Sequence, residues 1–350
     1  MNPDDRSKTV RVTLEDLGAL PASEPAAVLP APTGQKSYGN INAATEAPLL
    51  QHEKGSILLQ GWFYLGVAGL LGALAGWAIA EPGFVDDGGM RWGNVWMLPS
   101  MITLMCVGFA MAESLVERSA KKALLRGSLA LLLGIALGFG FDFGANVIYR
   151  IGLSVVFQMG VRSHHNRSVW VVRGLAWIVF GAAGGVVYGI IGQSSKKTAY
   201  GVLGGAIGAC LGGVIFDPIS FVTHGGATSR VVGFCLFGLT TGIAMGLVES
   251  ALKDRWLYVT SGPLAGKQFI LYKPQTTLGS SQTCDIYLFK DSEIKAHHAT
   301  LLLKGSRLHL QNDGPVYVAG QPVRGTRVLE SGNVIQLGRY SFRYQERQRK

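Results

Sequence analysis

The chain has 350 residues, of which 48 are glycine and only 15% are charged, a composition too apolar and too rich in glycine for an ordinary soluble enzyme. The net charge of +10 is concentrated at the C-terminal end, where residues 253–350 carry 15 Lys and Arg against 7 Asp and Glu. This basic segment suits an acidic or phosphorylated ligand or anionic lipid headgroups, whereas the lack of interleaved aromatic and basic residues argues against nucleic acid as a partner.

The first 56 residues are rich in Pro, Ala, Ser and Thr and show no apolar period. Such a segment cannot bury enough surface to offset its chain entropy, so residues 1–56 are predicted to be a disordered cytoplasmic tail. They also lack the charged start and apolar core of a signal peptide.

Six apolar runs follow, each long enough to cross a bilayer, which requires roughly 20 residues. The sequence therefore predicts a polytopic α-helical membrane bundle over residues 57–252. Four isolated cysteines indicate neither a metal site nor a disulfide framework, and no cofactor is expected. The runs cover residues 57–80, 94–112, 123–145, 174–193, 199–221 and 231–251.

Charged residues between the runs predict the orientation of the bundle, because Lys and Arg favour the cytoplasmic side. The loop at 81–92 is acidic and is expected outside, whereas the basic segments at 118–122, 196–197 and 253–255 are expected inside. Both termini are then cytoplasmic, in a multi-pass protein of the cell membrane such as a bacterial inner membrane. The segment 146–173 disagrees, because its four arginines would lie outside; its short apolar stretch is expected to lie in the interface or to re-enter.

An internal repeat supports this count of helices. The pattern Ser-x-Lys-Lys, an apolar run and then Phe-Asp occurs twice, with an offset of 75 residues. Repeats of this kind occur in transporters and also in bundles without transport activity. The repeated residues are Ser119, Lys121, Lys122, Gly138, Phe141 and Asp142 in one copy, and Ser194, Lys196, Lys197, Gly213, Phe216 and Asp217 in the other.

The acids Asp142 and Asp217 end the two copies of the repeat. A helical rise of 1.5 Å per residue places each about 31 Å from its lysine pair, which is the depth of the outer interface. We interpret both as helix-end residues; the alternative is an ion path through the bundle.

Glycines recur at intervals of four in five of the runs. This spacing places them on one helix face, where the missing side chain lets backbones approach closely. It predicts tight helix packing, and the alternatives are a glycine-lined pore or a homo-oligomer interface. The glycines are Gly72 and Gly76; Gly134 and Gly138; Gly181, Gly185 and Gly189; Gly204, Gly208 and Gly212; and Gly238, Gly242 and Gly246.

From Leu257 the pattern changes to short alternating strands separated by Gly and Asn turns, as in LYVTS, KQFIL, ATLLL and RLHLQ. This pattern predicts an all-β sandwich over residues 253–350.

Five motifs in this segment follow one another in a recognisable order. They are GPLAGKQF at 262–269, LGSS at 278–281 followed by CDI, IKAHHA at 294–299, the turn Ala319-Gly320, and LESGNVIQLG at 329–338. Residues 257–346 therefore resemble the forkhead-associated (FHA) domain, an all-β sandwich that binds phosphothreonine peptides.

The resemblance implies a set of ligand-binding loop residues: Gly279, Ser280, Ser281, Lys295, His298, Ala319 and Gly320. In the family, an Arg at the place of Ser280 donates to phosphate, a Ser stands at Lys295, and an Asn at Ala319 holds the peptide backbone. The histidine supports the loops. The resemblance thus implies a retained fold and an altered phosphothreonine pocket. Lys295 and Ser281 together can receive an anion; the alternative is that Lys295 is a solvated surface lysine.

The sequence shows no nucleophile–base pairing, phosphate loop, paired-carboxylate site or metal cluster, so no enzyme is predicted. It favours a non-enzymatic membrane scaffold or signalling adaptor, whose FHA-like domain recruits a protein partner, including a phosphorylated one. The alternative is a small transporter or channel with a regulatory cytoplasmic FHA domain. The spans are nearly bare of polar residues at mid-depth, and liposome flux would distinguish the two.

Overall fold

A computed structural model of the protein describes residues 56–86, 90–160, 166–223 and 225–347. Within these ranges, six helices are long and apolar enough to cross a membrane, and a β-sandwich follows them. The predicted architecture of a polytopic helical bundle and an all-β sandwich is therefore confirmed. The predicted disordered tail, residues 1–56, lies outside the described residues except for Ser56.

Apart from the C-terminal end of the third, the helices begin and end close to the predicted apolar runs. α1 contains no charged residue, as expected for a helix that meets lipid and other helices on all sides. Side-chain caps begin two of the others: Asn166 accepts from Ser168 N at 2.9 Å, and Ser194 accepts from Lys197 N at 3.3 Å. The helices are α1 (Gly61–Ala80), α2 (Trp92–Val116), α3 (Ala120–Gln158), α4 (Arg167–Ile191), α5 (Ser195–Val222) and α6 (Gly226–Leu252).

Each helix packs against the next and α6 returns to α1, so the bundle is a ring in which α2 also touches α4. Phe109, Met101 and Phe237 are among the side chains fully buried at its centre. The internal repeat within this ring stays a prediction.

The third helix is longer than the sequence suggested. α3 has 39 residues, which is about 58 Å, against roughly 30 Å for the hydrocarbon core of a bilayer. Residues 146–158 continue it, and Val156 packs against Val169 and Val172 of α4. The expectation that this stretch re-enters is wrong, because no proline or left-handed glycine interrupts the helix before Gly160, whose φ is +85°.

Glycines lie at the closest approaches between helices. Where α1 crosses α6, a Cβ on Gly69 would stand 2.1 Å from the carbonyl oxygen of Gly238. Where α4 crosses α5, a Cβ on Gly181 would stand 1.9 Å from the carbonyl oxygen of Gly205. These approaches join helices of one chain, as tight packing predicts, whereas a homo-oligomer interface stays a prediction.

The sandwich consists of two sheets. The first has six strands in the order β2-β1-β11-β10-β7-β8, and the second has five in the order β4-β3-β5-β6-β9. The strands are β1 (Arg255–Ser261), β2 (Gln268–Ile270), β3 (Gln275–Gly279), β4 (Ile286–Tyr287), β5 (Ala299–Lys304), β6 (Arg307–Asn312), β7 (Tyr317–Val318), β8 (Gln321–Pro322), β9 (Thr326–Leu329), β10 (Val334–Leu337) and β11 (Tyr340–Glu346).

The alternation read in the sequence places every second side chain of the central strands in the core. In β1 and β11, Leu257 lies opposite Tyr344 and Val259 lies opposite Phe342, and all four are fully buried. The division of the chain into folding domains at 252/253 stays a prediction.

Candidate recognition loops and their junction with the helices

Two loops at one end of the sandwich are joined by backbone hydrogen bonds. Ser280 N donates to Lys295 O at 3.0 Å, and Ser281 N donates to Ala296 O at 3.1 Å. Gly279 permits this approach, because a Cβ there would lie 2.1 Å from the carbonyl oxygen of Ala296. The structure therefore brings the LGSS and IKAHHA segments together, as the motif order suggested.

Ser280 stands where the family has its phosphate-binding arginine. Its Oγ donates to Ile294 O at 2.8 Å, so the hydroxyl is used within the loop. This side chain offers a ligand neither charge nor a planar fork of donors.

His298 is buried and connects three segments. Its Nδ1 accepts from Lys295 N at 3.1 Å, which leaves the proton on Nε2 to donate to Pro315 O at 2.9 Å. Its carbonyl oxygen accepts from the backbone N–H groups of Asp313 and Gly314. These contacts shape the loops and leave no ring nitrogen for a ligand.

Lys295 and the hydroxyls of the first loop are the groups that an anion would meet. Lys295 is exposed, and its Nζ donates to the carbonyl oxygen of Asp313 at 2.6 Å. An ammonium group has three protons, so two remain for a ligand. Ser281 Oγ lies 2.7 Å from Thr283 Oγ1 in the first loop. The site thus offers one point charge and two hydroxyls.

Ala319 and Gly320 lie on a different turn. They form the two-residue connection between β7 and β8, with φ angles of +50° and +75°, and Ala319 N donates to Val334 O. The segment that reaches His298 and Lys295 is 313–315, directly after β6. In the sequence, this segment is marked by the turn Asn312-Asp313-Gly314. The motif comparison assigned the turn to Ala319-Gly320 instead.

The sandwich contacts the helix ends that carry the lysine pairs. Lys267, just before β2, forms an ion pair with Glu117 at 2.8 Å, and the two side chains are only 1% and 2% exposed. Lys122, in the first turn of α3, donates to the carbonyl oxygens of Cys284 and Asp285 at 3.1 and 3.0 Å. Buried charges require such close partners, so these contacts hold the sandwich in one position on the helices. We call this contact the junction.

A second group of polar contacts extends the junction to three more helices. Glu113 of α2 accepts from Lys197 of α5 at 3.0 Å. Glu249 of α6 accepts from the hydroxyl of Tyr188 of α4 at 3.2 Å and from the hydroxyl of Tyr272, which follows β2. The sandwich and five helices therefore share one set of buried and half-buried polar groups.

Glu113, Glu117 and Glu249 were not predicted from the sequence to have a role. A carboxylate at the end of an apolar run is costly to bury without a partner, and that was the available signal. Lys122 and Lys197 were used to predict the orientation and the internal repeat, and they are also the partners of two of these acids.

The pKa values of Asp285 and Lys253, both outside the long helices, are shifted. Burial works to raise the pKa of Asp285, but hydrogen bonds from Lys273 Nζ at 2.9 Å and from Thr277 outweigh it and hold this pKa below its ordinary value. Burial lowers the pKa of Lys253, whose Nζ lies 4.4 Å from the ring centre of Trp256.

A cavity of about 310 Å³ lies at the other end of the bundle. Trp177, Phe216 and Phe234 supply aromatic walls. Arg173 also lines it, with Nε 3.0 Å from Asp217 Oδ2 and Nη2 3.1 Å from the hydroxyl of Tyr149.

The two repeated acids have different surroundings. Asp217 lies inside α5 and is paired with Arg173, so it is not a helix-end residue. Asp142 lies inside α3, so it is not a helix-end residue either, and it accepts from Asn146 Nδ2 at 3.1 Å, one turn along the helix. The repeat positions therefore do not share one role.

Comparison with known proteins concerns the C-terminal domain. Residues 258–348 match the family described as "Inner membrane component of T3SS, cytoplasmic domain". The chain is 31% identical over 104 residues to the glycogen accumulation regulator GarA of Mycolicibacterium smegmatis, covering 29% of this chain and 65% of that protein. It is 33% identical over 87 residues to an oxoglutarate dehydrogenase inhibitor of Corynebacterium efficiens, covering 24% of this chain and 60% of that protein. The chain thus spans less than two thirds of the length of these relatives.

Solved structures similar to this segment include FHA domains. The FHA domain of the CT664 protein from Chlamydia trachomatis is 22% identical, with a TM-score of 0.26, covering 27% of this chain and all of that one. The FhaA FHA domain, solved with the intracellular domain of Rv3910, is 20% identical, with a TM-score of 0.24, covering 26% of this chain and all of that one. The resemblance of the C-terminal domain to FHA domains, predicted from its motifs, is confirmed.

Proposed function

We propose that this protein is a non-enzymatic membrane scaffold that presents an FHA-like interaction domain to a protein partner at the cytoplasmic face of the cell membrane. The observation that carries the proposal is the pairing of two features on one domain. Its recognition loops are assembled and accessible at one end, and its edge is fastened to the helices by buried charges. A domain held in this way brings whatever it binds to a fixed place beside the bilayer.

The chemistry of the loops favours a partner whose binding depends little on phosphate. A hydrogen bond to a charged group contributes about 1.5–3 kcal/mol, and Ser280 cannot provide the guanidinium that makes it in the family. Lys295 supplies one positive charge, but its flexible ammonium group lacks the planar pair of donors that an arginine has. Relatives named as a regulator and an enzyme inhibitor support action through protein contact.

The proposed position of the sandwich on the cytoplasmic side rests on the charges of the loops between the helices. The lysine-bearing ends of α3 and α5 meet the sandwich, and positive residues favour the cytoplasmic side. The matched family, described as a cytoplasmic domain of an inner membrane component, supports the same placement.

Site-specific photo-cross-linking in cells tests the scaffold function. A benzophenone side chain at Thr283 or at Ala296, both exposed in the recognition loops, is expected to give an adduct with the same cytoplasmic protein. The same group at Glu330, exposed elsewhere on the sandwich, is the control and is expected to give none. Lys295→Glu should abolish the adduct. Equal adducts at all three positions, or none at either loop, would contradict the proposal.

Phosphate dependence is tested separately with phosphothreonine peptides and the full chain in detergent. Loss of the guanidinium predicts affinities about 10- to 150-fold weaker than those of an intact pocket. The variant Ser280→Arg with Lys295→Ser is expected to recover at least tenfold, whereas Ser280→Ala is not. Micromolar, phosphate-dependent binding by the unmodified protein would show this view of the loops to be wrong.

The alternative function, solute transport, is favoured by one observation. The cavity near Arg173 is lined by aromatic rings and an ion pair inside the bundle, and ionisable residues there often mark solute paths. Flux assays in liposomes decide between the two. The scaffold predicts no flux above that of empty liposomes, and transport predicts flux that Arg173→Gln reduces.

A further inference from the structure

A cleft of about 620 Å³ separates the helix ends from one end of the sandwich. Lys196 of α5, Arg255, Arg347 and Ser306 in the β5–β6 turn are among the residues that line it. The recognition loops lie at the opposite end of the sandwich, because β5 runs from Ala299 beside them to Lys304 at this turn.

The charges around this cleft leave an excess of cations. Lys196 pairs with Asp254 at 2.7 Å, and Arg255 pairs with Glu346 at 2.6 Å. Arg347 Nη1 donates a hydrogen bond to the carbonyl oxygen of Ala251 at 3.2 Å. The two carboxylates of the lining are therefore each already engaged by a cation.

Two further cations flank the β5–β6 turn. Lys304 and Arg307 are exposed, lie opposite each other at the end of the β5–β6 hairpin, and make no ion pair with a carboxylate of the described part of the chain. Arg255 Nη2 donates to Ser306 O at 3.1 Å and so holds this turn against the cleft. The hairpin end adds two uncompensated charges to its rim.

The cleft is at the level of the helix ends. Lys196 is the second residue of α5, and Arg347 contacts the last turn of α6. In a spanning bundle the ends of the apolar helices lie at the lipid headgroups. The cleft then lies at the level of the phosphates of the cytoplasmic leaflet, which carries the anionic lipids.

We propose that this cleft binds the phosphate headgroup of an anionic phospholipid. The inference rests on the membrane position proposed above, and charge complementarity selects the occupant. Lys196 and Arg347 line a space large enough for a headgroup, and Lys304 and Arg307 flank the turn that lines its other side. Arg offers phosphate two parallel donors. A lipid held there would fix the free end of the sandwich to the bilayer.

The test uses the full chain, purified in detergent, and native mass spectrometry with short-chain phosphatidylglycerol and phosphatidylcholine. Phosphatidylglycerol is expected to bind preferentially. Lys304→Gln with Arg307→Gln should weaken this binding roughly 10- to 30-fold, the loss expected for two cations near an anionic lipid. Arg324→Gln with Arg339→Gln, an equal loss of exposed charge away from the cleft, is the control and should bind as the unmodified protein. Lys304→Arg with Arg307→Lys should retain binding.

Further measurements distinguish a lipid headgroup from free phosphate as the ligand. Inorganic phosphate at millimolar concentration is expected neither to bind nor to displace the lipid; if it does both, the cleft is a site for free phosphate and the lipid proposal is wrong. Equal losses in both double variants, no preference for phosphatidylglycerol, or stronger binding of a polyglutamate peptide would also overturn it. The cross-linking of Thr283 is independent of these variants, so failure here is distinguishable from failure of the scaffold function.

Discussion

Charged side chains at the junction are buried so thoroughly that each depends on its partner. Removing two ions from water costs several kcal/mol, and the attraction between them offsets this cost only when the geometry of the pair is good. Lys267 and Glu117 meet that condition at 2.8 Å, and Lys122 lies 3.7 Å from the second oxygen of Glu117. At this scale the position of the sandwich on the helices is decided by a few atoms.

The Lys267–Glu117 pair gives the first prediction. Lys267→Ala leaves a buried carboxylate without its closest partner, which costs about 3–5 kcal/mol in the free energy of unfolding. Lys267→Met with Glu117→Leu removes both charges at similar volume and should be near neutral. Thermal unfolding in detergent, followed by tryptophan fluorescence, measures both. Equal destabilisation of the single and double variants would show that the pair does not act as a unit.

Asp285 gives a prediction for pH. Its pKa is below the ordinary value of 3.8, so the unfolded chain binds its proton first as pH falls. The stability that its hydrogen bonds provide is therefore present above pH 3.8 and is lost as pH falls through the lower folded pKa. Asp285→Asn should be less stable at neutral pH by about 1–3 kcal/mol, and the difference should vanish in strong acid.

The measurement for Asp285 is the melting temperature of both proteins from pH 7 down into strong acid, near pH 1. Thr277→Val, which removes one donor to the same carboxylate, should show a smaller loss with the same pH dependence. A difference that stays constant into the acid range would exclude this carboxylate as its source.

At the residue scale, motif spacing predicted which loop segments lie together. The structure brings Ser280, Lys295 and His298 of LGSS and IKAHHA beside one another, and their role in binding a ligand stays a prediction. Motif spacing did not locate the 313–315 segment, where a turn follows β6 directly. The Lys267–Glu117 contact spans 150 residues, and no local pattern encodes it.

Among the helices, backbone contact at glycine decides how closely neighbours pack. Without side chains between them, two helices gain van der Waals contact along their length. Apolar runs predicted the six helices well, because about twenty consecutive apolar residues are typical of a membrane-spanning helix. They did not predict the extent of α3, because Asp142, Asn146 and Arg150 interrupt its apolar run but do not interrupt a helix.

A matched pair of glycine substitutions tests this packing. A Cβ on Gly208 would lie 2.4 Å from the carbonyl oxygen of Thr240, whereas one on Gly140 would meet nothing within 4 Å. Gly208→Ala should therefore destabilise the bundle by about 1–3 kcal/mol. Gly140→Ala should leave it unchanged or add about 0.5–1 kcal/mol through helix propensity. Melting curves in detergent that fail to separate the two variants would argue against close packing at Gly208.

In the whole molecule, a ring of helices carries a β-domain whose loops remain accessible. The fold class follows from composition and from two distinct periodicities. The way the two parts meet does not, because it depends on Glu113, Glu117 and Glu249, which read in the sequence as ordinary ends of apolar runs. We propose that these helices span the cell membrane and hold the sandwich on the cytoplasmic side.

Cysteine labelling of intact cells tests that claim most directly. In a background with the four natural cysteines replaced by alanine, Met90→Cys and Ser306→Cys each place one thiol at an exposed position, on opposite ends of the helices. A membrane-impermeant maleimide is expected to label Met90→Cys in intact cells and Ser306→Cys only after permeabilisation. Labelling of Ser306→Cys in intact cells would place the sandwich outside and would contradict the account.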